Sequence, residues 1–505
     1  MGMAQSFRAM QSYLPVISFC ALFTVAASAS AQPADGPVRT LSLTECIELA
    51  LAHNLDIRIQ LEEPKQDRFT LEGSYAAWDP SFTSTLVHNY NSSPGGTDSD
   101  GRPLPSTEIN TENVSPGLTG VLPTGMRYDL TSNFGFRDVN NARSEYSSSA
   151  LISVRQPLLK NMWIDDARRS ILINRRNLRS SELGVTLQAM NTVAAVEQAY
   201  YDLIFSEENV KVQRSALELA QRLLSENKKR VEVGALAPLD EKQAESQVAA
   251  RQADLITAQR QLADQQNTLK KLITDDYSVW RTVYIKPTDK LLPIPQTFDL
   301  QESWKTGMEL RPDLEQQRIE LEKQNIQLRY TRNQLFPSLD LFGSFGQNGL
   351  GPNMGNVVRD IEMGENPRHS YGVVLTIPLG NRTARTAHST AKSLKEQLLL
   401  RFKKLEQDTI VNIDNSVRLA QSNYEQIEST RKAREYAEAA LDAEQKKLAN
   451  GKSTSFVVLQ LQRDLTSARS AEIRALADYN KALSTLSLNE GTTLKRNKLE
   501  VKVER

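Results

Sequence analysis

One pattern occurs twice in this chain, and any fold it adopts has to accommodate both copies. Ser42-Leu43-Thr44-Glu45 opens the first copy, and Asp299-Leu300-Gln301-Glu302 opens the second, 257 residues later. Each places a side-chain oxygen three positions ahead of a Glu, the capping-box signature that supplies partners for the first free N–H groups of a helix. The offset persists through Asp56 and Asp313 to Pro80-Ser81 and Pro337-Ser338. Each copy therefore opens with a helical segment of similar length that ends at a Pro-Ser pair. Internal repeats are weighed before other signals because they decide the architecture.

A β region follows in each copy. Leu339, Leu341 and Phe345 share one face of a run from Ser338 to Phe345, and Tyr371, Val373, Leu375, Ile377 and Leu379 alternate in the same way. A period of two is the strand signal. A Gly/Asn-rich loop around Gly346 to Gly355 separates these runs. Copy one has matching strands near Ser81 to Tyr90 and Ser147 to Arg155. Pro157 and Pro378 close the β regions, and no strong helix breaker follows until Gly234 and Gly451. A continuous helix over either interval would be on the order of 110 Å long. Leu183, Leu187, Met190, Ala194, Tyr201 and Ile204 form an apolar stripe, as do Ile413, Val417, Tyr424 and Ile427. Such 3–4 spacing is a coiled-coil-like seam. Beyond each glycine a second helix returns, to about Leu272 and Ser487.

Copy one is longer between its prolines: Pro80 to Pro157 spans 77 residues, whereas Pro337 to Pro378 spans 41. The extra residues include Val114 to Arg137, a hairpin around Pro123-Thr124-Gly125. On its second arm Tyr128, Leu130, Ser132, Phe134 and Phe136 lie on one side and Arg127, Asp129, Thr131, Asn133 and Arg137 on the other. That alternation suits a barrel wall between lipid and water. The segment Asn91 to Asn113 reads as an exposed loop.

The N-terminus carries Arg8, an apolar stretch from Leu14 to Ala29, and the small-residue pattern Ala29-Ser30-Ala31. These features predict a secretory signal peptide cleaved after Ala31; a short N-terminal anchor is the alternative. Phe19 is too bulky to precede a lipidated cysteine, so Cys20 leaves with the signal. Cys46 then remains alone among Leu43, Ile47 and Leu51 as a small buried hydrophobe. Two cysteines exclude a disulfide scaffold and a multi-Cys zinc site. The 61 Lys and Arg balance 61 Asp and Glu, which argues against a nucleic-acid partner. No segment after the signal approaches the ~18 consecutive apolar residues of a membrane helix. The expected division is signal peptide 1–31, first repeat 32–297, second repeat 298–490 and a flexible C-terminal tail 491–505.

Too few strands per copy to close a barrel, and long helices that bury only a stripe, both demand neighbouring chains. A multi-chain barrel continued by a helical cylinder satisfies both. The segments LSLTECIELALAHNLDI (Leu41 to Ile57), ELRPDLEQQRIELEKQN (Glu309 to Asn325), QLFPSLDLFGSFG (Gln334 to Gly346) and GVVLTIPLGNR (Gly372 to Arg382), in this order, resemble the TolC-like outer membrane efflux protein family. The resemblance covers about Thr40 to Leu488. It implies a fold that is α+β and mostly α, with duplicated helical hairpins forming a periplasmic tunnel and antiparallel strands contributing to a shared twelve-stranded barrel in a homotrimer. It also implies outer-membrane lipid around the barrel, a periplasmic adaptor, an inner-membrane pump, and function as a passive exit duct.

Within that resemblance the helix-to-helix turns are the adaptor-binding tips: Gly234, Ala235, Leu236, Ala237, Pro238 and Asp240 in copy one, and Gly451, Lys452, Ser453, Thr454 and Ser455 in copy two. Turn chemistry alone also accounts for the glycines. The family often places acidic side chains at the second tip to narrow the periplasmic aperture. Asp240 keeps an acid in copy one, but Val457 and Gln460 hold those positions in copy two, so apolar packing is the expected basis of closure. The inserted hairpin would give six strands per chain rather than four, or would sit outside the barrel.

No catalytic, cofactor-binding or metal-binding residues are expected. His53, His88, His369 and His388 show no metal-ligand spacing, and neither a nucleophile elbow nor a phosphate loop is present. Asp165-Asp166 stands beside Arg168 and Arg169 as helix-surface charge. Trp78, close to Pro80, fits either an interfacial aromatic belt or core packing. A non-conducting structural coiled-coil protein of the envelope is the alternative function, and the alternating strands argue against it.

Overall fold

The computed structural model describes residues 37–140, 142–234 and 236–499. The expected signal peptide with Cys20, Ala235 of the first tip and residues 500–505 lie outside the described residues. The first repeat comprises β1 (Val38–Leu41), α1 (Leu43–His53), α2 (Leu55–Tyr75), β2 (Ser81–Ser93), β3 (Thr107–Val121), β4 (Arg127–Val139), β5 (Glu145–Pro157), α3 (Asp166–Glu232), α4 (Pro238–Ile273), α5 (Tyr277–Trp280) and β6 (Tyr284–Pro287). The second comprises α6 (Leu300–Leu310), α7 (Pro312–Asn333), β7 (Ser338–Gly351), α8 (Met354–Met363), β8 (Pro367–Thr376), α9 (Arg382–Ala449), α10 (Ser455–Asn489) and α11 (Thr493–Arg496).

The repeats break at matching points. Asn54 accepts from the N–H groups of Asp56 and Ile57 and starts α2, while Pro312 is the first residue of α7. A side-chain cap and an N1 proline are two ways to restart a helix. The single opening helix suggested by the repeat is therefore two helices in each copy. Ser42 and Glu45 make both bonds of the capping box. Asp299 accepts from the N–H groups of Gln301 and Glu302.

Helices α3 and α9 run 67 and 68 residues, about 100 Å each. They double back through α4 and α10, of 36 and 35 residues. Their buried stripes, such as Val185, Ala189, Val193, Val196, Tyr200 and Leu203 on α3, are what hold such polar helices side by side. Near the sheet, α2, α3, α7 and α9 lie next to one another; further away α3, α4, α9 and α10 do.

The largest apolar core sits midway along α3. Cys46, Ile47, Val193, Tyr200, Leu269, Ile273 and Ile285 meet there. A small parallel sheet, β1 with β6, closes it; four-residue strands carry too short a pattern for sequence reading to find. The Tyr200 hydroxyl lies 3.0 Å from the Leu41 carbonyl and 2.9 Å from an Asp289 carboxylate oxygen. Burial pushes the Cys46 thiol up to about 12, as expected for a packed side chain rather than a reactive one. Residues 491–499 were expected as the start of a flexible tail, but they are packed. Thr493 is buried, Leu494 and Leu499 touch this core, and Arg496 donates to the Leu483 carbonyl (3.1 Å) and Ser487 Oγ (3.0 Å).

The remaining strands form one antiparallel sheet in the order β2-β3-β4-β5-β7-β8. The inserted hairpin is its β3 and β4, so it lies within the sheet and not outside it. Asn91 to Asn113, expected as an exposed loop, contains the end of β2 and the start of β3, which pair with each other, so only 94–106 connects them. Two further strand ends differ from expectation. Ile377 and Leu379 fall beyond β8, and the Gly/Asn-rich loop after Phe345 is the end of β7 followed by α8. Asn353 caps α8 through the Asn356 N–H, and Gly364 ends it with a left-handed backbone.

Candidate functional site

The pairing register sorts the sheet residues into two faces. Phe82, Leu118, Leu130, Ile152, Phe345 and His369 stand in one row across all six strands. The adjacent row is Ser81, Thr119, Asp129, Ser153, Ser344 and Ser370, pointing the other way. Hydroxyl pairs reinforce this second face, Ser81 with Thr119 at 3.0 Å and Ser344 with Ser370 at 2.7 Å. The first face continues with Leu86, Val154, Leu341, Val373 and Tyr371, all exposed. A sheet that is apolar on one side and polar on the other suits a wall between lipid and water. Its outer strands β2 and β8 each have one unpaired edge among the described residues.

Four of the six strands join a long helix directly: α2 enters β2, β5 leads to α3, α7 enters β7 and β8 leads to α9. The β3–β4 hairpin has no helix of its own. Its turn, Leu122 to Met126, rests on the start of α3, where an added Cβ on Gly125 would meet Arg168, Asn161 and Asp165. The short turn is thus on the helical side, and the longer connections 94–106 and 352–366 are at the far end.

The opposite end of the molecule is formed by two turns. Gly234 (φ 73°) and Gly451 (φ 69°) adopt the left-handed backbone that ends a helix. At Gly451 the bonds from its own N–H to Leu448 O (3.1 Å) and from Lys452 N–H to Lys447 O (2.9 Å) complete a Schellman cap. Pro238 is the first residue of α4. The two hairpins are fastened together just above. Ser455 Oγ pairs with Asn227 Oδ1 at 3.0 Å, and Leu223, Leu441, Leu448, Val458, Leu459 and Leu465 form a shared cluster. Ser455 is 1 % exposed, so unlike the other second-tip residues it faces inward and joins helices instead of presenting a docking surface. Ser453 donates to Glu444, and this bond together with Lys447 holds the Glu444 carboxyl below its usual range. Leu236, Ala237, Lys452 and Thr454 are at least partly exposed, and Asp240 is half-buried. Val457 (37 % exposed) and Gln460 stand one turn apart on an exposed face of α10, beside Phe456.

The other polar residues singled out from the sequence have structural work. Asp165 caps α3 through the Arg168 N–H (2.7 Å), and Asp166 pairs with Arg169 (2.7 Å). A second pair of adjacent carboxylates is likewise structural: Asp275 pairs with Arg58 and Asp276 caps α5. His53 faces Asp275 and His88 faces Glu112 across the sheet. Trp78 packs edge-on against Tyr75, with ring centroids 5.5 Å apart. Among the described residues no cluster of metal-ligating side chains occurs, and no helix is long and apolar enough to cross a membrane. One cluster was not foreseen: arginines and aromatics gathered where the sheet meets the helices. Its members come from three separate segments, so no single spacing in the sequence marks it.

The chain is similar to known proteins over most of its length. The outer membrane efflux protein family model matches residues 47–274 and 308–491. The outer membrane protein TolC of Vibrio cholerae is 21% identical over 393 residues, covering 74% of this chain and 85% of that protein. The pyoverdine export outer membrane protein OpmQ of Pseudomonas aeruginosa is 23% identical over 306 residues, 59% of this chain and 60% of that one. Among solved structures, the CmeC outer membrane channel of Campylobacter jejuni superposes with a TM-score of 0.67 at 15% identity, covering 91% of this chain and 90% of that one. A two-faced sheet, a duplicated helical hairpin and a family match spanning both repeats lead to one assignment: the chain belongs to the outer membrane efflux protein family, channels of the outer membrane with a large periplasmic helical portion and no enzymatic activity.

Proposed function

We propose that three copies of this chain close edge to edge, β8 of one against β2 of the next, and that the trimer is a passive exit duct. Substrates would enter from an inner-membrane pump through a periplasmic adaptor seated on the turns at Gly234 and Gly451, and leave through the barrel. The observation that carries this reading is the six-stranded sheet with one apolar face, one polar face and two unpaired edges. Six alternating strands leave β2 and β8 running in opposite directions, so the edge of one copy meets the next in antiparallel register. A trimer then has eighteen strands instead of the twelve expected from the family. That number falls in the range of barrels that leave an aqueous channel. Val457 and Gln460 would line the narrow end, closed by apolar contact.

The test is single-channel conductance of the chain from residue 32 in planar bilayers, with its oligomer mass measured in detergent. Discrete conductance from a trimer is the expected result. A monomeric chain that never conducts would overturn the duct and favour a structural role in the envelope.

A further inference from the structure

Two cavities lie among the helices just beneath the sheet. One, of about 730 Å³, takes Arg127, Arg155 and Asp340 from the polar sheet face together with Ala167 and Ser170 of α3. The other, of about 550 Å³, is lined by Arg168 and Arg175 of α3, Arg329 and Arg332 of α7, and Trp78 and Trp163. At 3.6 residues per turn, positions 168 and 175 lie within about 20° of each other and roughly 80–160° round α3 from 167 and 170, although the Arg168 guanidinium reaches Asn161 and Asp165 in the wall of the first cavity. The aromatics in its wall assign the second cavity to the side of the apolar sheet face. Trp78 stands three residues before β2, and Phe336, also in its wall, two residues before β7. The first apolar-face residues of those strands, Phe82 and Leu339, follow directly.

No carboxylate lines this cavity. Arg168 is held by Asp165 (2.9 Å) and the Asn161 carbonyl (2.8 Å), and Arg175 donates to the Tyr75 hydroxyl (3.2 Å). Arg329 and Arg332 are exposed and have no hydrogen-bond or ion-pair partner among the described residues. The Trp78 Nε1–H is buried and unpartnered. Trp163 is 78 % exposed and Phe336 48 %, a large aromatic surface for a site with this much positive charge. Helices α3 and α7 are the middle pair of the four beneath the sheet, so the cavity lies away from the edges at which further copies would join.

Guanidinium groups match phosphate oxygens in paired fashion. Tryptophans settle at the boundary between hydrocarbon and headgroups, and basic pockets at that depth bind anionic headgroups. The helices are periplasmic, so the boundary in question is the periplasmic leaflet. We propose that this cavity holds the phosphodiester headgroup of an anionic phospholipid of that leaflet, one per chain, which fixes the depth of the barrel in the membrane. A lipid rather than free phosphate is assigned because the aromatic wall faces glycerol and acyl chain, which free phosphate lacks.

The test is native mass spectrometry of the delipidated full assembly, titrated with phosphatidylglycerol, phosphatidylcholine or inorganic phosphate. The wild type is expected to retain one phosphatidylglycerol per chain in preference to phosphatidylcholine, with no displacement by millimolar inorganic phosphate. Arg329→Gln/Arg332→Gln is expected to weaken retention on the order of 10- to 30-fold with unchanged circular dichroism and oligomer mass, and Arg329→Lys/Arg332→Lys to restore most of it. Equal retention of the two lipids, displacement by inorganic phosphate, or a folded Gln variant that binds as the wild type would each overturn the assignment.

Discussion

Deleting residues 107–139 removes β3 and β4 and tests whether the inserted hairpin sets the bore of the barrel. Across that hairpin Ser81 stands level with Thr119, Asp129 and Ser153 in turn. Taking out two strands therefore brings Ser81 opposite Ser153 with both the antiparallel direction and the facing of every side chain preserved. Phe82 would meet Ile152 on the lipid side. The proposed trimer would fall from eighteen strands to twelve. Barrel diameter grows roughly linearly with strand number, so the bore shrinks to about two thirds. Because no helix hangs from the hairpin, the tunnel keeps all its helices. Conductance with graded polyethylene glycols added to one side at a time measures both ends. From the barrel side the largest polymer that enters should fall by about one third in hydrodynamic diameter, while the limit from the tunnel side stays the same. A folded trimeric deletion variant with an unchanged barrel-side limit would refute the placement of the hairpin in the wall. Independently, Asn133→Cys in the intact chain should react with a membrane-impermeant thiol reagent, since Asn133 is on the polar face.

Four further outcomes follow from the packing and the tips. Gly451→Ala places a Cβ where φ is 69° with nothing within 4 Å, so its cost is backbone strain alone, about 1–2 kcal/mol; amide exchange over residues 447–455 should speed up by about 5- to 30-fold, and less in Gly451→Asn. Tyr200→Phe keeps the ring but loses the contacts to Leu41 and Asp289, about 1–2 kcal/mol, read as faster exchange in β1 and β6. The Cys46 thiol, raised to about 12, is about one part in 10⁴ thiolate at pH 8; labelling of the native protein should be far slower than after denaturation and should accelerate as pH rises, and rapid native labelling at pH 8 would contradict the burial. Val457→Asp should raise cation selectivity in single-channel recordings through a ring of added carboxylates, and a selectivity that ignores the charge would remove Val457 from the aperture.

Much of this architecture is legible in the residues because its signals are long. The apolar stripe from Leu183 to Ile204, or an alternation carried through five residues of β4, survives local noise, although Leu183, Leu187 and Tyr201 are only half-buried and the buried row of α3 also takes in Val185, Ala189, Val193 and Tyr200. The duplication adds a second sighting of each element. The features that escaped are short or assembled at a distance. Helix α8 is ten residues inside a glycine-rich stretch, whose composition reads as a loop until Asn353 and Gly364 are seen as its two caps. The parallel pairing of β1 with β6 joins residues 246 positions apart at Val38 and Tyr284. Ser455 looked like one more exposed turn residue until Asn227, from the other hairpin, was found against it. The arginine-lined cavity draws on α2, α3 and α7 at once, and no linear spacing encodes that meeting.

The hairpin without a helix has a consequence for how such ducts vary. Strands can join this wall only in twos, since an odd number would leave both edges of the sheet running the same way and the ring could not close in alternation. In the proposed trimer, threefold symmetry would multiply each addition, so one inserted hairpin would widen the rim by six strands. The turns proposed as the docking end are some 100 Å away along α3 and α9, and nothing in the hairpin reaches them. On the proposed assembly, the mouth of this trumpet could be re-cut by a single insertion while the mouthpiece still fitted the instrument that blows it.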